Sequence, residues 1–159
     1  MDELNTYLNI LIDTIKMKID MFKNIYKITG EQEQMLNGDF DTELFQKTID
    51  EKQKYIDEVK KLDFGFETTY KKIGNEVSNN KEKYKDQIVL LKQSISQVME
   101  LGVKIQLQEE NNKTKSMGKF SVKKSEVKTY KKSKSTVAAY YKNINSNVSE
   151  QSFFIDQKN

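Results

Sequence analysis

The sequence predicts an all-α fold: an elongated antiparallel three-helix bundle with a long third helix and a C-terminal extension. Apolar residues recur at three- and four-residue steps over three long stretches, the spacing that lines up one face of a helix. Pro is absent and Gly occurs six times in 159 residues, so nothing forces the long helices to break. Only 36% of the chain is hydrophobic and 32% is charged, with a mean hydropathy of −0.79. That balance is too polar for a thick core but suits narrow helices that each bury one stripe.

The first helix spans residues 4–36. Leu4, Leu8, Leu11, Ile15, Phe22, Ile25 and Leu36 share one heptad register, which Lys18, Thr29 and Gln32 interrupt. Gly30 is a point where the helix could bend or fray. Asn37-Gly38 is expected to stop it, because Gly enters the left-handed region without a Cβ penalty. Asp39 or Asp41 can then cap the second helix by accepting orphan backbone N–H bonds.

The second helix carries Phe45, Ile49, Ile56, Val59, Leu62, Phe66, Tyr70, Ile73 and Val77 on one face. Gly65 and Gly74 lie within it, and each costs about 1 kcal/mol relative to Ala. Ser78-Asn79-Asn80 marks its end, and Asn79 with Glu82 has capping-box spacing, so the third helix is expected to start near Asn80. Two short connections make sequential helices antiparallel neighbours.

The third stripe has two halves. Tyr84, Ile88, Leu91, Ile95, Val98, Gly102 and Ile105 form the first. The register then meets Glu109, Asn112, Ser116, Lys119 and Lys123, none of which favours burial, and recovers at Val127, Tyr130, Val137, Tyr141, Ile144 and Val148, with Lys134 between. Residues 113–134 are rich in Lys, Ser and Thr, and both a continued helix and a solvated linker fit them. The chain therefore divides into a bundle over 1–112, a Lys-rich amphipathic helical extension over 113–148, and a flexible tail over 149–159.

Charge changes at the same boundary. Residues 1–112 hold 16 Lys and 21 acids, a net −5, while 113–159 hold 11 Lys and 3 acids, a net +8. All 27 basic residues are Lys. Without Arg there is no bidentate fork for guanine, so the Lys-rich stretch 113–142, even with Tyr130, Tyr140 and Tyr141 as stacking platforms, supports no specific nucleic-acid readout. No run approaches the roughly 18 apolar residues of a membrane span, and Met1-Asp2-Glu3-Leu4 is acidic, unlike a secretory signal. A cytoplasmic location is expected.

His and Cys are both absent, which removes thiolate chemistry, disulfides and the commonest metal ligands. Ser133-Lys134-Ser135 offers a Ser/Lys pair, but a Lys in that polar, like-charged surrounding keeps its proton. Glu109-Glu110 and Asp57-Glu58 are neighbours that diverge by about 100° on a helix rather than converging, so both pairs are expected on solvated faces. No Gly pattern cradles a phosphate. Catalysis, a metal and a cofactor are thus not expected, and binding is. The restart at Val127–Val148 could pack on the bundle, form a homodimer, or dock a partner. Phe153, Phe154 and Ile155 stand at a polar terminus, and each would gain roughly 1.5–3 kcal/mol if buried on a partner.

One family resembles this chain in the order and spacing of six features: Leu4…Leu8…Leu11-Ile12…Ile15 with Phe22…Tyr26; Asn37-Gly38-Asp39; Leu62-Asp63-Phe64-Gly65-Phe66-Glu67 with Tyr70; Ile105-Gln106…Glu109-Glu110-Asn111-Asn112-Lys113; Ala139-Tyr140-Tyr141-Lys142; and Phe153-Phe154-Ile155-Asp156-Gln157-Lys158. It is the FlgN-like flagellar export chaperones, and the resemblance covers nearly the whole chain. It implies a cytoplasmic chaperone of type III export that binds the C-terminal segments of hook–filament junction proteins and delivers them to the export gate. The family's C-terminal region carries the client, which here means Val127, Tyr130, Val137, Tyr141, Ile144 and Val148, with Phe153, Phe154 and Ile155 beyond them. A tyrosine near the end of the family's last helix is implicated in gate docking, and Tyr140 or Tyr141 is its counterpart. Lys142-Asn143 follows here where the better-known pattern has a short stretch with Asp and Gly. Two other readings remain: a structural coiled-coil scaffold that homo-oligomerises, and a nonspecific nucleic-acid binder.

Overall fold

The computed structural model describes residues 2–122, with side chains to Lys119. They form three helices, α1 (Glu3–Asn37), α2 (Thr42–Asn79) and α3 (Lys85–Val122). The described residues are an all-α three-helix bundle, and neighbouring helices in sequence run antiparallel. At about 1.5 Å per residue each helix is more than 50 Å long.

α1 and α2 start and stop for local reasons. Asp2 caps α1, its carboxylate accepting from Leu4 N–H at 3.1 Å. Asp41 caps α2 by accepting from Glu43 and Leu44 N–H, as expected. Gly30 neither bends nor ends α1, which is continuous to Asn37. The stop after it is not a left-handed one: Gly38 has φ −116°, and no described residue has positive φ. Its N–H instead reaches the Met35 carbonyl at 3.4 Å, which tightens the last turn. The second connection also differs from expectation. α2 runs through Asn79, residues 80–84 form turns, and α3 begins at Lys85. Asn80, rather than Asn79, closes α2, its side-chain amide donating to the Glu76 carbonyl at 2.7 Å.

Side-chain pairs give the register. Along α1 and α3, Asn5 meets Gln87, Thr29 meets Glu109 and Asn37 meets Lys115, sequence separations of 82, 80 and 78. These two helices are therefore parallel, with an offset of about 80 residues that shortens slightly toward the α1 C-terminus. Against α2, Lys18 meets Asp63 and Gln32 meets Thr48, so the sense is reversed. An offset of 80 brings Gly102, itself buried, level with Phe22, whose ring is fully buried.

α1 is the axis of the molecule, packing along both α2 and α3, whereas no Cα of described α2 comes within 8 Å of one in α3. Apolar side chains fill that wider space. Tyr70, Ile73 and Val77 of α2, Ile88, Leu91 and Lys92 of α3, and Leu8 and Leu11 of α1 together line a small cleft. The main core runs from Leu4 to Ile25 on α1, from Ile56 to Val77 on α2, and from Tyr84, just before α3, to Ile105 within it. Each fully buried member, such as Ile25, Ile95 or Ile105, contributes about 1.5–3 kcal/mol. A second, smaller cluster of Leu36, Phe45 and Ile49, with Met35 and Phe40 against it, closes the end at the α1–α2 turn.

Candidate functional site

The residues singled out for binding, Val127, Tyr130, Val137, Tyr140, Tyr141, Ile144, Val148, Phe153, Phe154 and Ile155, lie outside the described residues. What the structure describes is the bundle end from which that segment departs. α3 passes residue 112 without a break and continues to Val122. Its offset from α1 brings Lys119 level with the turn after Asn37.

Between the two apolar clusters lies a layer of buried polar side chains drawn from all three helices. Glu109 of α3 and Asn112, three residues on, are 2% and 3% exposed, although their chemistry argues against burial. Their partners explain it. Lys52 of α2 crosses the wider gap to form an ion pair with Glu109 Oε1. The Thr29 hydroxyl of α1 lies 2.9 Å from the same oxygen and 2.7 Å from the Ile25 carbonyl, either of which can accept its proton. Asn112 Nδ2 donates to the Thr29 carbonyl at 2.9 Å, and its Oδ1 accepts from Gln108 at 3.1 Å. One turn further along α1, Gln32 donates to the Thr48 hydroxyl at 2.9 Å. Burial pushes the Lys52 ammonium below its ordinary pKa, and the Glu109 carboxylate opposes that shift.

A second buried ion pair sits inside the main core. Lys18 of α1, fully buried, donates to Asp63 Oδ1 of α2 at 2.7 Å and stands 5.5 Å from the centre of the Phe22 ring. Asp63 Oδ2 is buried with no hydrogen-bond partner among the described residues. Burial raises the Asp63 pKa, against the pull of Lys18. Lys18, Thr29 and Gln32, which break the apolar register of α1, are therefore buried polar members of the core. Glu110, Asp57 and Glu58 are exposed as expected; Glu109 is not.

The opposite end is closed by a different set. The Tyr84 hydroxyl donates to Asp2 Oδ2, with Lys83 at 3.3 Å from the same oxygen. The Tyr84 hydroxyl, seconded by Lys83, holds the Asp2 carboxyl below the usual range. The cap of α1 thus also clamps the start of α3.

Electrostatics distinguish the end where α3 finishes. From Ile28 to Glu51 there are seven acids and one lysine. Lys115 of α3 spans to this region, 2.9 Å from Asn37 and 3.9 Å from Glu33. α3 also carries apolar residues away from the core: Val89, Val103 and Met117 are each above 40% exposed and Leu107 is 65% exposed. On α2, Phe64 is 73% exposed.

Among the described residues no group of three or more His, Cys, Asp or Glu could hold a metal ion, and no helix is long and apolar enough to cross a membrane. Set beside family models, curated proteins and solved structures, the chain matches none of them.

Proposed function

We propose that this chain is a non-catalytic chaperone of flagellar type III export, located in the cytoplasm. In this reading the bundle is the handle and residues 113–148 are the client-binding arm. The arm would hold the amphipathic C-terminal segments of hook–filament junction proteins and carry them to the export gate. The observation that carries the reading is the course of α3. It leaves its apolar core at Ile105 and continues as helix to Val122, so the stripe that restarts at Val127 begins a few residues beyond the bundle end. An amphipathic arm with anchors at Val127, Tyr130, Val137, Tyr141, Ile144 and Val148 suits helix-in-groove recognition. Phe153, Phe154 and Ile155 would add apolar contacts for the client, and Tyr140 or Tyr141 is the residue proposed to dock at the gate. No cofactor is required.

The test is co-expression with the organism's own hook–filament junction proteins. Tyr141→Asp with Ile144→Asp in the full chain should abolish capture, with far-UV circular dichroism unchanged. Capture by a chain ending at Val122 would move the site into the bundle. The exposed Val89, Val103 and Leu107 favour a second reading, a self-associating scaffold with no export role. No capture by any form, together with a concentration-independent oligomer in light scattering, would make that reading the better one.

A further inference from the structure

The two apolar clusters are not continuous. Between them the core is interrupted by Thr29, Gln32, Thr48, Lys52, Glu109 and Asn112, all buried. After Ile105, as far as Lys119, the buried residues that α3 contributes are two polar ones, Glu109 and Asn112. We propose that this polar layer divides the bundle into two cooperative units, so that α3 from about Glu109 onward opens and recloses while the core from Tyr84 to Ile105 stays folded.

The physical basis is the dependence of each contact on its partner. An apolar core residue keeps most of its contacts when one neighbour shifts, whereas a buried charge that loses its counter-charge has no dry alternative and favours water. Opening at Glu109 lets Glu109, Lys52 and Asn112 all regain hydration together, which makes the step cooperative rather than a gradual fraying. The wide spacing of α2 and α3 helps, since the Lys52 side chain spans the gap where backbone contact is missing. The proposal stands apart from any client. Where the chaperone reading also holds, the opening would lengthen the binding arm by the α3 residues beyond Ile105, and that consequence alone rests on the reading.

Residue-resolved amide hydrogen exchange on the full chain tests it without a partner. Residues 109–119 should exchange as a block, with protection at least about tenfold below residues 91–105 and a weaker dependence on denaturant, as local opening requires. Replacing both charges with apolar side chains, Lys52→Met with Glu109→Met, should raise protection of 109–119 about tenfold or more, because the coupling through solvation is then gone. Equal protection in the two segments of the native chain would overturn the proposal. So would a smooth gradient toward Val122 that the double substitution leaves unchanged, the behaviour of a frayed helix end. Failure of client capture would bear on the proposed function and not on this measurement.

Discussion

Four charged residues stand on the apolar stripes of this bundle. Lys18 sits between Ile15 and Phe22, Lys52 between Ile49 and Ile56, Asp63 between Val59 and Phe66, and Glu109 four residues after Ile105. Each occupies a core position of its heptad, and the four combine into two lysine–carboxylate ion pairs, Lys18–Asp63 and Lys52–Glu109. Breaking one partner of such a pair is costly. Lys52→Met should destabilise by about 3–5 kcal/mol, while Lys52→Met with Glu109→Met should be neutral or stabilising, both read by chemical denaturation. Similar losses from the single and double variants would show that the pair is not the source of the effect. Asp63 makes a pH prediction of unusual sign. Its folded pKa is raised above the ordinary 3.8, so the folded state holds the proton more tightly than the unfolded one. Its favourable contribution is complete below about pH 3.8 and is lost as pH rises through the raised value. Relative to Asp63→Asn, the native protein should therefore lose stability with rising pH across that window. A difference that does not vary with pH would contradict the assignment.

At the scale of the helix, ends are decided locally and lengths are decided by packing. Asp41 accepts two backbone N–H bonds at the start of α2. Asp41→Ala should cost about 1 kcal/mol in a thermal or denaturant melt, and a loss of less than a few tenths would mean that water caps the helix as well. The end of α1 shows the limit of local signals. α1 stops at Asn37-Gly38, as that pair predicts, yet Gly38 stays at negative φ and its N–H closes on the Met35 carbonyl instead of entering the left-handed region. Likewise Asn79 has capping chemistry, but it remains helical and the closure falls on Asn80. Of all the elements α3 is the least like its sequence expectation, because its face beyond Ile105 is polar and still buried.

For the whole molecule, α1 as the common partner of two helices explains the distribution of both apolar and polar contacts. It leaves α2 and α3 farther apart, and it makes a long side chain, Lys52, the bridge between them. The two ends differ accordingly. Asp2 and Tyr84 clamp the end where α1 starts, while the end where α3 finishes combines a polar layer, a small apolar cluster and an acidic surface. A binding arm attached at that second end would be anchored to the less uniform part of the bundle, and the loss of capture expected for Tyr141→Asp with Ile144→Asp would belong to the arm itself.

By itself the sequence determined the class of fold, the three helices, their antiparallel order and most of the apolar core. Those features follow from periodicity and from the absence of breakers, which are properties of one helix at a time. It also divided the chain near residue 112 by charge, and it carried the binding candidates, all of which lie beyond the described residues. Tertiary structure alone decided that Lys18, Thr29, Gln32, Glu109 and Asn112 are interior residues. Burial of a charge or an amide depends on whether a complementary group stands at the same level on another helix, and that is set by register between helices rather than by spacing within one. The signal was present in hindsight as opposite charges at matching heptad positions, but only the shared offset along α1 says which of them meet.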